Sequence, residues 1–155
     1  MVDIGEKAPD FSLAADGGET LTLGGFKGSW VVLYFYPKDN TSGCTLEALE
    51  FSERTADFAA MKAVVLGVSR DSAASHDNFK AKHNLSVRLL SDPDHKVLEI
   101  YGAWGIKTSY GKESAGVIRS SVLIAPDGIV RKAWPKVQSS GHAQEVLDAL
   151  RGLAK

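Results

Sequence analysis

The only cysteine of the chain, Cys44, occupies a position where a thiol is expected to be reactive. It follows the apolar run 30–36, which predicts a buried strand, and the turn-forming residues 38–43. An amphipathic helix is predicted to begin at once, so that Cys44 lies in its first turn. There, unpaired backbone N–H groups and the positive end of the helix dipole favour the thiolate over the thiol. The sequence therefore predicts a nucleophilic cysteine that a small substrate can reach.

Two residues upstream of Cys44 have side chains suited to a site around a thiolate. Thr41 carries a hydroxyl that can hydrogen-bond the sulfur, or an oxygen atom that approaches it. Pro37 closes one side of the turn and has no N–H group that water could occupy. A lone cysteine is ordinarily a small buried apolar residue, but the helix start and Thr41 favour the reactive interpretation.

The spacing of these residues resembles the peroxiredoxin signature, which is a proline, three residues, a threonine, two residues and then the reactive cysteine. The match extends through 34–39, 43–45 and 47–48, which are similar to the peroxiredoxin Q subfamily, also called bacterioferritin comigratory protein. Further similar segments are spread along nearly the whole chain, at 5–11, 68–71, 90–92, 110–112 and Arg119.

The resemblance implies a thiol peroxidase that reduces hydrogen peroxide or organic hydroperoxides without a cofactor or a metal ion. The Cys44 thiolate would attack one peroxide oxygen and become a sulfenic acid. The implied catalytic residues are Cys44, Thr41, Arg119 and Pro37. The implied substrate-binding residues are Thr41, Gly43, Cys44 and Glu47, with Glu47 orienting the arginine or a neighbouring group.

The chain departs from the resemblance at three positions. Ser42 stands where relatives usually have proline, and we expect this serine to cap the helix. Leu49 and Lys80 occupy the two positions where relatives carry a second, resolving cysteine. A one-cysteine mechanism follows, in which an external thiol reduces the sulfenic acid. That thiol would be glutathione, a thioredoxin- or glutaredoxin-type protein, or Cys44 of a second copy.

Two other functions use the same kind of thiol. A disulfide oxidoreductase needs a Cys-x-x-Cys pair, which a chain with one cysteine lacks. A redox sensor or a chaperone-like protein would use Cys44 oxidation as a switch, and the sequence leaves this alternative open. The number of turnovers separates a peroxidase from a sensor. With excess dithiol, a peroxidase consumes many molecules of peroxide per Cys44, whereas a sensor stops near one.

The order of predicted elements indicates an α/β protein with a thioredoxin-like fold. Strands alternating with helices, then a hairpin and a final helix, predict a central mixed β-sheet flanked by helices, with an N-terminal β-hairpin extension. We expect one domain, 1–155. The helix after Cys44 is expected to run to Met61 with Leu46 on its apolar face. A glycine-rich loop is expected to follow Tyr101, with Trp104 at the rim of the site.

Composition and charge limit the classes of partner and the cellular compartment that we expect. A formal charge of -1 argues against nucleic acid and anionic membranes, and no apolar stretch approaches the roughly 20 residues of a membrane helix. The N-terminal residues lack an apolar signal core, and one cysteine excludes an intramolecular disulfide, so we expect a cytoplasmic protein. We expect a monomer or a weak homodimer.

The remaining polar residues show no pattern typical of a second site. The histidines have no metal-ligand spacing and are expected on the surface, at His76, His83, His95 and His142. A solvated basic face is expected at Lys80, Lys82 and Arg88.

Overall fold

The central strand is β3, Trp30–Phe35, and all six of its residues are buried. A strand covered on both faces needs no polar side, which explains its unbroken apolar sequence. It pairs in parallel with β4, Ala63–Ser69, and β4 pairs in parallel with β5, Arg88–Ser91. The computed structural model describes residues 1–154, apart from the side chain of Ser109.

Antiparallel strands extend this parallel centre on both sides, so the sheet is mixed, as predicted. The added strands are β1 (Ser12–Ala15), β2 (Thr20–Thr22), β8 (Ser120–Ile124) and β9 (Val130–Trp134). The strand order is β2-β1-β5-β4-β3-β8-β9. The pair β1–β2 is the predicted N-terminal hairpin, and β8–β9 is the predicted later one.

Helices cover both faces of the sheet, which confirms the thioredoxin-like α/β arrangement. Side chains of four helices pack with the even-numbered residues of β3. These helices are α1 (Ser42–Glu53), α2 (Thr55–Ala60), α3 (Ala73–His83) and α5 (His142–Leu153). The opposite face packs against α4, Lys96–Tyr101. No helix within residues 1–154 is long and apolar enough to cross a membrane.

The helix predicted to run from Cys44 to Met61 is two helices, which break at Arg54. The buried side chains of α1 follow a helical spacing and are Cys44, Glu47, Ala48 and Phe51. Leu46 is 41% exposed, so its predicted place on the apolar face is wrong. The buried stripe instead includes a thiol and a carboxyl group, which hydrophobic periodicity alone does not select.

The segment predicted as a glycine-rich loop is a β-hairpin. Its strands are β6, Trp104–Ser109, and β7, Lys112–Val117. Tyr110 and Gly111 connect them, both with positive φ (51° and 76°), as a tight two-residue hairpin turn requires. Trp104 therefore lies in a strand rather than a loop, and its ring stacks on that of His95 with 4.0 Å between centroids.

Some of the histidines and basic residues predicted to face solvent are instead buried or in ion pairs. His76 and His142 are both buried and hydrogen-bonded, so the prediction of surface histidines is wrong for them. Lys80 and Arg88 form ion pairs with buried Asp16, at 2.8 Å and 3.1 Å, so they are not a solvated face. Lys82 is exposed.

Candidate active site

Cys44 lies in the first turn of α1, which begins just beyond the carboxyl end of β3. Thr41 is the N-cap residue, with extended backbone angles, and Ser42 is the first helical residue. The prediction that Ser42 caps the helix is therefore wrong by one position. Relatives can have proline here because a residue at the first helical position needs no N–H group for the helix. Ser42 fills the same position, and no side-chain hydrogen bond caps α1.

Arg119 brings a permanent positive charge to the sulfur of Cys44. Its Nη2 donates a hydrogen bond to Sγ at 3.2 Å, although the two residues are 75 positions apart. Its Nη1 donates to Oε1 of Glu47 at 2.7 Å. One guanidinium thus bridges a thiol and a carboxyl group, a geometry that stabilises negative charge on the sulfur.

Glu47 is fully buried beneath this bridge. Burial raises the pKa of its carboxyl group to about 7, and the nearby Arg119 guanidinium offsets only part of that effect. Its second oxygen, Oε2, has no hydrogen-bond partner among the described residues. The carboxyl group therefore exchanges its proton near neutral pH, next to the guanidinium that holds the sulfur.

The guanidinium of Arg119 stays protonated in the site. Burial alone would lower the pKa of its guanidinium, but the negative groups of Glu47 and Cys44 raise it above the ordinary value. The side chain is mostly shielded, with 17% of its surface exposed. Arg119 is therefore a fixed cation at every pH at which the protein is folded.

Thr41 does not hydrogen-bond the sulfur. Its hydroxyl donates to the carbonyl oxygen of Lys38 at 2.8 Å, while its own carbonyl oxygen accepts from the backbone and side chain of Thr45. Because the single hydroxyl proton is used, the lone pairs of Thr41 Oγ1 can only accept a hydrogen bond from an incoming group. Thr41 and the half-buried Pro37 lie on the turn that leads into α1.

Gly43 lets two neighbours approach the helix start. A Cβ atom at this position would lie 2.8 Å from Oγ of Ser139 and 3.2 Å from Nη2 of Arg119. The segment that contains Ser139 is attached nearby, since the N–H of Val137 donates to the carbonyl of Arg119. The N–H of Gly141, at its end, donates to Glu50 on α1. A side chain at position 43 would therefore force the Ser139 hydroxyl to shift and would crowd the Arg119 guanidinium.

Asp39, in the turn before α1, belongs to a buried hydrogen-bond network that the sequence did not reveal. The carboxyl group of Asp39 accepts hydrogen bonds from Tyr36 and Ser75, and it lies 2.8 Å from Nδ1 of His76. The N–H of Asp39 donates to Asp71. These contacts link the turn to α3, which carries no residue of the site itself. No spacing rule connects a turn aspartate with a helical histidine, so only the fold identifies the pair.

The sulfur is more enclosed than the sequence suggested, because Cys44 is only 1% exposed. Its neighbours at the helix start are more open: Thr41 and Ser42 are exposed, and Gly43 is half-buried. The helix start is therefore the exposed side of the surroundings of Cys44. The described residues contain no group of three or more acidic, histidine or cysteine side chains that could hold a metal ion.

Comparison with known proteins connects this geometry to a family. A model of the AhpC/TSA family matches residues 4–133. The peroxiredoxin Bcp of Bacillus subtilis (strain 168) is 46% identical over 154 residues, covering 99% of this chain and 98% of its own. A solved PrxQ mutant from Xylella fastidiosa superposes with a TM-score of 0.94 at 39% identity, covering 100% and 99% of the two chains.

A second set of solved structures belongs to the bacterioferritin comigratory protein of Xanthomonas campestris, in complexes that address its alkyl peroxide reduction activity. One of these superposes with a TM-score of 0.91 at 42% identity, covering 99% of this chain and 98% of that one. The relatives match the chain over its length, including the turn and helix that carry Cys44. The chain belongs to the AhpC/TSA family and is a thiol-dependent peroxidase of the Bcp and peroxiredoxin Q type that lacks a resolving cysteine.

Proposed function

We propose that the chain reduces hydrogen peroxide and organic hydroperoxides through Cys44, in a one-cysteine cycle completed by an external thiol. The observation that carries the proposal is the hydrogen bond from Arg119 to the sulfur, in the first turn of α1. The alkyl peroxide reduction activity of the Xanthomonas campestris relative supports organic hydroperoxides as substrates.

In the first step, the Cys44 thiolate attacks one peroxide oxygen and the O–O bond breaks. The sulfur is oxidised to a sulfenic acid, and the other oxygen takes up a proton and leaves as water or an alcohol. The guanidinium of Arg119 stabilises the thiolate and then the charge that moves to the leaving oxygen. Thr41 Oγ1 accepts the hydrogen bond of the hydroperoxide O–H group, and the N–H groups of Gly43 and Cys44 bind its oxygen atoms.

Glu47 and Pro37 complete the proposed site without touching the reacting atoms. Glu47 holds the Arg119 guanidinium in its bridging position through the 2.7 Å hydrogen bond. Pro37 begins the turn and keeps a backbone N–H, and the water it would bind, away from the substrate.

The second step uses a thiol from outside the chain. It attacks the sulfenic acid and releases water, which leaves a mixed disulfide on Cys44. A second thiol then reduces that disulfide and restores Cys44. Glutathione, a thioredoxin- or glutaredoxin-type protein and Cys44 of a second copy all have the required chemistry. A reducing cytosol contains glutathione and proteins of the thioredoxin and glutaredoxin types. If the protein is a monomer or a weak homodimer, its site stays accessible to these thiols.

The test is mass spectrometry after one equivalent of peroxide, followed by candidate reductants added one at a time. The expected product is the chain plus one oxygen, or a disulfide-linked dimer, and glutathione should give a mixed disulfide at Cys44. Cys44→Ser should consume no peroxide. With excess dithiol the native chain should reduce many equivalents of peroxide; consumption that stops near one equivalent would instead indicate a redox sensor or a chaperone-like switch.

A further inference from the structure

Ser139 lies beside the start of α1, in a segment that is attached to the site on both sides of it. The N–H of Val137 donates to the carbonyl oxygen of Arg119. The N–H of Gly141 donates to Oε1 of Glu50 at 2.8 Å. One attachment thus goes to the residue that contacts the sulfur, and the other goes to the helix that carries the sulfur.

The side chain of Ser139 faces the same small space as the Arg119 guanidinium. This space exists because Gly43 has no side chain. The position of its missing Cβ lies 2.8 Å from Oγ of Ser139 and 3.2 Å from Nη2 of Arg119, which limits the separation of these two polar atoms to about 6 Å. One oxygen atom can accept hydrogen bonds from two donors at such a separation, because each bond spans about 2.8–3.0 Å.

Nη2 of Arg119 is also the atom that donates to the sulfur of Cys44. The three distances of 2.8, 3.2 and 3.2 Å that connect Oγ of Ser139 to Sγ limit their separation to about 9 Å. When a thiolate attacks a peroxide, the sulfur and the two oxygens align, so the leaving oxygen points away from the sulfur. Because Cys44 is enclosed except toward the helix start, the leaving oxygen faces the side where Ser139 lies.

The hydroxyl group of Ser139 is available to a ligand. Its oxygen is half-buried with its residue and makes no hydrogen bond with any of the described residues. The hydroxyl proton of Thr41, in contrast, is donated to the carbonyl oxygen of Lys38. Thr41 can therefore accept from a peroxide, whereas Ser139 can donate to it.

We propose that Ser139 is a catalytic residue that donates a hydrogen bond to the leaving oxygen of the peroxide. The proposal rests on the proposed function, in which Cys44 attacks that peroxide. The S–O bond forms as the O–O bond breaks, and the electron pair of the O–O bond goes to the leaving oxygen. Ser139 keeps its own proton, and the leaving oxygen takes up a proton from solvent water. The hydrogen bond strengthens as negative charge grows on this oxygen, so it favours the transition state over the bound peroxide.

The value of this hydrogen bond depends on the charge that the leaving oxygen carries. Hydrogen peroxide releases hydroxide, a strong base whose charge is concentrated on one oxygen. Peroxyacetic acid releases acetate, a much weaker base whose charge is shared by two oxygens. Losing a hydrogen-bond donor should therefore slow the reaction with hydrogen peroxide more than the reaction with peroxyacetic acid.

The experiment compares Ser139→Ala with the native chain in single-turnover oxidation of Cys44 by each of the two peroxides. Ser139→Ala should slow the reaction about tenfold with hydrogen peroxide and less than about threefold with peroxyacetic acid. Ser140→Ala is the matched control, since Ser140 is the exposed next residue of the same segment, and it should keep the native rates.

Alkylation of Cys44 by iodoacetamide separates a catalytic role from a structural one. This reaction uses the same sulfur but has no leaving oxygen, so Ser139→Ala should be alkylated at the native rate. A native rate with hydrogen peroxide, an equal loss with iodoacetamide, or equal losses with the two peroxides would each overturn the proposal. The proposed function fails separately, if the native chain itself does not turn over hydrogen peroxide with excess dithiol.

Discussion

Nδ1 of His76 lies 2.8 Å from Oδ2 of Asp39, and both side chains are buried. Nε2 of the same ring faces the carbonyl oxygen of Leu90, which only accepts hydrogen bonds, so Nε2 carries a proton. Burial alone would raise the pKa of Asp39, but the hydrogen bonds of His76, Tyr36 and Ser75 and the charge of His76 lower it. The carboxylate is therefore ionised and fastens the turn before Cys44 to α3.

We expect His76→Leu to lower the free energy of unfolding by about 3 kcal/mol, because it leaves the Asp39 carboxylate buried without its partner. Peroxide reduction should also slow, since the turn that carries Thr41 loses its attachment to α3. Urea denaturation gives the first quantity and stopped-flow kinetics the second. His83→Leu, on the same helix but half-buried, is the control and should change stability by less than about 1 kcal/mol. Equal losses in both variants would mean that the pair has no special role.

We expect Arg119→Ala to slow the reaction of Cys44 with peroxide about 100-fold, because it removes the hydrogen bond to the sulfur and the charge that stabilises the leaving oxygen. Arg119→Lys should recover only part of the rate, since an ammonium cannot bridge Cys44 and Glu47 in the same way. Single-turnover kinetics with hydrogen peroxide measure both. The exposed Arg131 provides the control through Arg131→Ala. If Arg119→Ala kept the native rate, Arg119 would be structural only.

We expect the stability of the native protein to fall as the pH rises from 4.5 to about 7, through the titration of Glu47. Its pKa is raised in the folded state, so the fold binds the proton more tightly than the unfolded chain does in this range. The stabilisation is complete below pH 4.5 and has been lost above about 7. The loss is roughly 3 kcal/mol for a shift of this size.

Glu47→Gln should remove that slope, because the amide does not titrate. Free energies of unfolding measured across this pH range provide the comparison. Glu53→Gln is the matched control, since Glu53 lies on the same helix with 71% of its side chain exposed and should leave the slope intact. An unaltered slope in Glu47→Gln would assign the pH dependence to another group.

The sequence predicts the parts of the fold in which one pattern dominates. Buried strands such as β3 read as unbroken apolar runs, and α5 has an apolar stripe at helical spacing with the predicted bounds His142–Leu153. The β6–β7 hairpin was missed because Tyr110-Gly111 is not among the favoured hairpin pairs. The glycines Gly105 and Gly116 further suggested a loop, although they pair with each other across the hairpin.

The site was predictable only as a set of residue types. The helix start indicated Cys44, and the resemblance supplied Arg119 and Glu47, with Glu47 expected to orient the arginine or a neighbouring group. The contacts and distances by which one guanidinium bridges the other two side chains come from the fold alone. The Asp39–His76 pair joins residues 37 positions apart, and a lone histidine on a polar helix has no signal of burial. Such contacts depend on how α3 packs under the turn, which tertiary structure alone decides.

Helix α3 is fastened at two of its turns, by His76 to Asp39 and by Lys80 to Asp16. The same Asp16 also accepts from Arg88 and from the N–H of Leu89, so this anchor reaches the central sheet. With Lys80 in place of a second thiol, no covalent bond has to draw this helix toward the sulfur during the cycle. In the proposed one-cysteine cycle, the reduced chain and its sulfenic acid can therefore share the same placement of α3, whichever external thiol follows.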